Sequence, residues 1–333
     1  MKYIVITSIN DPTEAIRKFA KRSGYHLIVV GDLKSPPDFN LKGCQFMSIK
    51  DQEASVFAIA QKLPYNHYCR KMIGYLEAIR NGADYIIDTD DDNIPYSDWS
   101  FPELQGNFEK TQENLGFINI YQLFTQKKIW PRGLPLSKIK SIFNFEDNLK
   151  NIPCNIGIWQ GLADEDPDVD AIYRLVDDSP CFFINREPVV CGKGTISPFN
   201  TQNTLIRKEL FPLLYLPATV TFRYTDILRG LVAQPIMWLY NYELGFVKAT
   251  VKQKRNPHDY FKDFLAEIPM YQQCEQVIEL VLNSISNNDS IETNLYNVYK
   301  SLLKKKFVLK KEIITLEAWL EDLEKMNYQI HQR

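Results

Sequence analysis

Short apolar runs alternate with stretches of three-to-four spacing through the first hundred residues. Residues 3–7 (YIVIT) form one such run. Asn10-Asp11-Pro12 then offers a cap with proline at a first helical position, and Glu14 to Lys21 reads as a helix. LIVVGD at 27–32 is a second strand that ends in Gly and Asp. Helices are expected over about 51–62 and 66–81; in the second, Met72, Ile73, Leu76, Ile79 and Ala83 share a stripe and Gly82 supplies the stop. YIID at 85–88 is a third buried strand. Strands separated by helices predict an α/β fold, a largely parallel sheet with helices on both faces and ligands outside the carboxyl ends of the strands. Thr7, Ser8, Asp32 and Asp88 to Asp92 then line one rim.

From about 100 to 260 the periodicity fades and prolines are frequent, a pattern typical of segments that carry binding function. From about 270 to 333 helical spacing returns in VIELVLNSI, LYNVYKSLL and ITLEAWLEDLEKM, with a polar break at Ser286 to Ser290. The expected organisation is a catalytic domain over 1–268 and a C-terminal helical appendage over 269–333, whose Leu, Ile and Tyr content leaves room for a homodimer.

Composition narrows the functional classes. A formal charge of -2 from 39 Lys+Arg against 41 Asp+Glu removes the basic field of a dedicated nucleic-acid binder. The longest apolar runs have strand length, so no integral membrane segment is expected, and Met1-Lys2 leads straight into a strand with no signal-peptide pattern. Cys44, Cys69, Cys154, Cys181, Cys191 and Cys274 lack metal-site spacing and read as reduced thiols of a cytoplasmic protein.

The sharpest chemical signal is Asp88-Thr89-Asp90-Asp91-Asp92-Asn93, four carboxylates in five residues directly after an apolar strand. Their mutual repulsion is relieved by a divalent cation, and oxygen-only ligands favour magnesium or manganese over zinc. The alternative is a solvated acidic turn. Asp164 to Asp170 is a second acidic run; Val169 and Leu175 stand where a calcium loop needs glycine and glutamate, so it reads as a solvated turn or as an acceptor-binding or catalytic carboxylate. Arg70-Lys71 falls off the apolar stripe of its helix, either as an exposed pair or as cations that reach a diphosphate. Gly192-Lys193-Gly194-Thr195 lacks a phosphate-loop frame and reads as a tight turn. Asp226 is a helix cap or a catalytic carboxylate, and His258 a surface histidine or a metal ligand.

INDPTEAIRKFA, LIVVGD, LPYNHYCRKMIGYLEAIRNGADYIIDTDDDN, WPRGLPL, GLADEDPDVDAIYRL, GTISPFNTQNT, RYTDILRG and NPHDYFKDFLAEIP occur in this order over roughly residues 3–270. In them the chain resembles the STELLO-type glycosyltransferase family. More distantly, CRKMIGY, YIIDTDDDN, DVDA, GTISPFNTQN and RYTDI resemble the reversibly glycosylated polypeptides, which include the UDP-arabinopyranose mutases. Both resemblances imply a GT-A type fold. They imply that Asp90-Asp91-Asp92 is a DxD element, with Asp92 a direct ligand of Mn2+ or Mg2+, Asp90 beside the metal or ribose, and His258 completing the metal site. Thr7, Ser8 and Asp32 correspond to nucleoside positions, Arg70 and Lys71 to the diphosphate side, and Asp226 to the acidic residue beside sugar or acceptor. In the mutase relatives an Arg-Glu-Gly element includes the arginine that becomes glycosylated; the resemblance makes Arg132 a catalytic candidate beside Asp226, although here it is followed directly by Gly133.

The expected function is metal-dependent transfer of a hexose or pentose from a nucleotide-diphosphate sugar, a UDP-sugar foremost, to a hydroxyl acceptor in glycan or polysaccharide assembly. Asp226 is the expected base if the reaction inverts the anomeric centre. The alternatives are a nucleotide-sugar pyranose/furanose mutase and a non-catalytic scaffold of a polysaccharide-synthesising complex. The STELLO-type relatives usually carry an N-terminal membrane anchor, which is not read here.

Overall fold

The computed structural model of the chain describes residues 1–144, 149–255 and 259–326. In chain order these residues form β1 (Lys2–Thr7), α1 (Glu14–Phe19), β2 (Tyr25–Val30), β3 (Cys44–Met47), α2 (Ile49–Glu53), α3 (Lys71–Arg80), β4 (Tyr85–Thr89), β5 (Asn93–Pro95), β6 (Gln105–Thr111) and β7 (Gly116–Phe117). They continue as β8 (Leu149–Asp164), α4 (Ala171–Val176), β9 (Val189–Val190), β10 (Thr195–Ile196), β11 (Asn203–Arg207), α5 (Thr225–Leu239), β12 (Glu243–Gln253), α6 (Tyr260–Leu282), α7 (Ile291–Lys304) and α8 (Lys310–Lys325).

Ten of the strands make one sheet in the order β3-β2-β1-β4-β11-β8-β6-β9-β12-β5, with β8 also pairing β12; β7 and β10 pair separately. Strands β1 to β4 are mutually parallel. Beyond them the sheet is mixed. Strand β11 is antiparallel to both β4 and β8, so β8 runs in the direction of β4, and β12 runs parallel to β8. The carboxyl ends of β1, β2, β4, β8 and β12 and the amino end of β11 therefore share one rim. This topology gathers residues from widely separated parts of the sequence around a single cleft.

Alternation along the strands sorts side chains to the two faces. Ile4, Ile6, Leu27, Val29 and Ile87 pack with Ile16 and Phe19 of α1 and with Trp99. Val5, Ile28, Val30 and Ile86 turn to the other face, in one cluster with α3, α5 and the C-terminal helices. Full burial of each such side chain stabilises the fold by about 1.5–3 kcal/mol. Gly74 brings α3 close to the sheet: a Cβ there would lie 2.6 Å from Val30 Cγ2 and 2.7 Å from Val5 Cγ1.

Helix α6 runs without a break across residue 268, and Met270, Val277, Leu295, Tyr299, Leu316 and Trp319 of the last three helices join the same apolar cluster as the sheet. The helix expected over 51–62 is divided. It ends at Glu53 and resumes as a 3-10 turn at Ala58–Gln61, because Asp322 of α8 accepts hydrogen bonds from the Ala58 and Ile59 amides at 2.8 and 2.9 Å. All six cysteines are free and five are buried. Among the described residues no helix is long and apolar enough to cross a membrane.

Candidate active site

The rim opens into a cleft of about 240 Å³ lined by Thr7, Tyr68, Asp90, Asp91, Asp92, Arg132, Pro167, Asp168, Asn200, Thr201, Gln202, Phe222, Arg223, Asp226, Gln253 and Arg255. Strand β4 delivers the acidic run, and each carboxylate in it has a different environment. Asp88 is fully buried and accepts from Lys71 Nζ at 2.8 Å and Arg229 Nη1 at 2.9 Å, so it anchors the strand end below the cleft. Asp90 accepts from Lys71 Nζ at 2.9 Å through Oδ1, with about a third of its side chain exposed. Asp91 faces the β1–α1 loop, where Ser8 Oγ and Asn10 Nδ2 donate to its Oδ2. Asp92 accepts from Gln253 Nε2 at 2.9 Å through Oδ2, whereas among the described residues its buried Oδ1 has no hydrogen-bond partner.

These placements set the local charge. Burial, opposed by Lys71 and reinforced by Asp92 and Asp88, pushes the Asp90 carboxyl up to about 7. Burial, only partly offset by the hydrogen bond from Gln253, pushes Asp92 up to about 6. Burial works against a charge on both groups, and a further cation beside them would favour it.

Neither basic residue expected at the diphosphate lines the cleft, and neither is exposed. Arg70 lies behind the wall, donating to Gln52 Oε1 at 2.8 Å and stacking 4.5 Å from the Tyr65 ring centre. Lys71 directs its ammonium at Asp88, Asp90 and the Thr89 carbonyl, which use all three of its N–H donors. Burial works against the charge of Lys71, but Asp88 and Asp90 outweigh it and raise its pKa. Lys71 therefore holds the acidic loop from below. Among the expected nucleoside residues, Thr7 reaches the cleft; Ser8 is buried and bound to Asp91. Asp32 accepts from the Leu33 and His67 amides, fixing the turn that carries His67. His67 stacks on Tyr68 at 5.3 Å, and exposed Phe222 meets Tyr68 edge-on at 4.6 Å, giving the cleft an aromatic margin. His258 lies outside the described residues.

Arg132 stands between two carboxylates. Its Nε and Nη2 donate to Asp168 at 2.8 and 2.9 Å; Nη1 and Nη2 donate to Asp226 at 3.0 and 2.9 Å; Nη1 also donates to the Arg223 carbonyl. All five guanidinium donors are thus engaged. Gly133 makes this placement possible: it has φ +94°, and a Cβ would lie 2.5 Å from Ile227 Cγ2 on the helix that carries Asp226. Asp226, in the first turn of α5, also accepts from Tyr68 Oη at 3.3 Å and from its neighbour's amide. Burial would raise its pKa, but Arg132 overrides burial and lowers it. Asp168 is the more open of the two, its side chain 12% exposed against 4% for Asp226, and it accepts from Asn200 Nδ2 at 2.8 Å.

Several lining residues were not singled out by their sequence spacing. Asn200, Thr201 and Gln202 sit in the GTISPFNTQNT segment, Arg223 precedes Asp226 by three residues in RYTDILRG, Gln253 ends β12, and Arg255 follows just beyond it. The available signal was their inclusion in, or adjacency to, the motifs that carry the family resemblance. The Gly192–Thr195 segment forms a turn with Gly194 at φ +75°, packed against Asn114 and away from the cleft.

Comparison with known proteins agrees with the resemblance read from the motifs. A sequence model described as STELLO glycosyltransferases matches residues 223–332. Two Arabidopsis thaliana proteins, named probable glycosyltransferase STELLO1 and probable glycosyltransferase STELLO2, are 27% and 29% identical over 98% of this chain. The chain spans 45% of the length of each.

Proposed function

We propose that this chain, similar over nearly all its length to the STELLO glycosyltransferases, moves a sugar from a nucleotide-diphosphate donor to a hydroxyl acceptor with the help of magnesium or manganese. The observation that carries this reading is the pair Asp90 and Asp92. Both line the cleft, both have raised pKa values, and among the described residues the buried Asp92 Oδ1 has no donor. Among the described residues no three His, Cys, Asp or Glu side chains converge into a metal-holding group. Two carboxylates nevertheless suit magnesium, which keeps several waters and is commonly bound by one or two carboxylates plus substrate phosphates. A cation held by Asp90 and Asp92 would offset the charge that develops on the departing diphosphate.

The remaining chemistry belongs to side chains of the cleft. Transfer breaks the bond between the anomeric carbon and the diphosphate oxygen and forms one to the acceptor oxygen, whose proton must pass to a base. Arg132 holds both Asp168 and Asp226, but Asp226 is the more deeply buried of the two and the less able to meet an acceptor hydroxyl. Asp168 is more open, and Arg132 and Asn200 fix its orientation, so we assign it the proton and give Asp226 the task of holding Arg132 in place. The full engagement of Arg132 supports transfer over the mutase reading, because an arginine that accepts a glycosyl group must offer a free nitrogen.

Asp92→Asn tests the assignment. The expected result is loss of cation-dependent nucleotide binding and at least about a 100-fold fall in turnover, the scale of removing one electrostatic stabiliser. Full activity in that variant removes the acidic loop from the mechanism.

A further inference from the structure

With Arg70 behind the cleft wall and Lys71 committed to Asp88 and Asp90, the diphosphate lacks the partners that the sequence assigned to it. Three arginines line the cleft instead. Arg132 has no free donor. Arg223 differs: its Nε and Nη2 grip Glu267 Oε1 at 2.9 and 2.8 Å, while among the described residues its Nη1 makes no hydrogen bond.

Glu267 is built to hold that posture. It is fully buried on α6, and its other oxygen accepts from the Ala171 amide at 2.7 Å and from Tyr271 Oη at 2.6 Å. One edge of the Arg223 guanidinium is therefore fixed by a carboxylate tied to α4 and α6, and the other edge remains for a ligand. The wall also concentrates like charge. Burial and then the neighbouring Arg223 and Arg174 depress the pKa of Arg255, which Asp168 and its ion-pair partner Asp263 partly offset. Arg223 lines the same cleft as Asp90, Asp91 and Asp92, so an anion seated against it shares that cleft with the acidic loop and any cation it holds.

We propose that Arg223, braced by Glu267, binds the diphosphate of the donor, with Glu267 acting as a positioning residue from the C-terminal helices. This inference rests on the donor-site reading above and adds the residues that hold the anion. A guanidinium edge also suits a carboxylate or phosphate on an acceptor, and the test separates the two sources.

The experiment is titration calorimetry with manganese on the wild type, Arg223→Gln, Arg223→Lys and Glu267→Gln. The probes are inorganic pyrophosphate, UDP and uridine, and each variant is first checked for a native melting transition. For UDP and pyrophosphate, Arg223→Gln is expected to weaken binding about 10- to 100-fold, the scale of a charge-assisted hydrogen bond, with uridine affinity unchanged. Arg223→Lys should retain part of the affinity. Glu267→Gln should weaken the diphosphates selectively, a split that a purely structural defect would not produce. Equal affinity of wild type and Arg223→Gln for UDP and pyrophosphate overturns this inference alone and leaves the guanidinium edge to an acidic group of the acceptor. If the wild type binds none of the probes, the donor reading falls and this inference with it.

Discussion

Replacing Asp226 with asparagine changes one oxygen of the Arg132 network and tests whether that network is an ion pair in substance. Arg132 is buried and shares its donors between Asp168 and Asp226. Breaking a buried pair by removing one charge costs about 3–5 kcal/mol, because the partner charge remains buried. Here Asp168 still compensates Arg132, and the asparagine retains one acceptor oxygen, so the cost at neutral pH belongs at the lower end, about 3 kcal/mol. For a chain of this size that corresponds to a fall in Tm of about 5 °C.

The pH dependence gives the sharper criterion. The Asp226 pKa is lower in the folded protein than its unfolded value of about 3.9. Its contribution is therefore fully present above about pH 4 and is lost as the pH falls through the folded value. Urea unfolding of wild type and Asp226→Asn at pH 7, 5, 4 and 3 should show a stability gap that is constant down to about pH 5 and shrinks below pH 4. A gap that is absent at pH 7, or unchanged at pH 3, would refute an ion-pair role for Asp226.

Two further substitutions probe the frame around the site. Lys71→Met leaves Asp88 and Asp90 without their shared cation and should cost about 3 kcal/mol or more, read as a lowered urea midpoint with an unchanged slope. Gly74→Ala drives a methyl group into Val30 and Val5 and should destabilise by about 1–3 kcal/mol while leaving nucleotide affinity intact, measured by thermal unfolding and calorimetry.

The amino-terminal half of the fold was legible because its parallel strands are buried on both faces and read as continuous apolar runs, with Asp88 to Asn93 directly after one of them. The C-terminal helices were legible by their spacing. The mixed half of the sheet was not: β8 begins with exposed or half-exposed residues, and β8 and β12 pair with each other across more than 80 residues of chain. Arg70 and Lys71 show why periodicity misplaced a pair of cations. They lie off the apolar stripe of α3, but that side carries a buried polar network with Gln52, Asp88 and Asp90, so it has no solvent face. Arg223 was hidden for a similar reason, since its orientation depends on Glu267, 44 residues away.

The most direct test of the central claim is a thermal-shift panel of UDP, GDP, CDP, TDP and ADP with manganese, with magnesium and with EDTA. A ligand that binds only the folded state raises stability by RT ln(1 + [L]/Kd), about 2.7 kcal/mol at a hundredfold excess over Kd. The account predicts stabilisation by one nucleotide, UDP foremost, that requires the cation and disappears in Asp92→Asn. An unchanged Tm with every nucleotide under every cation condition would contradict it.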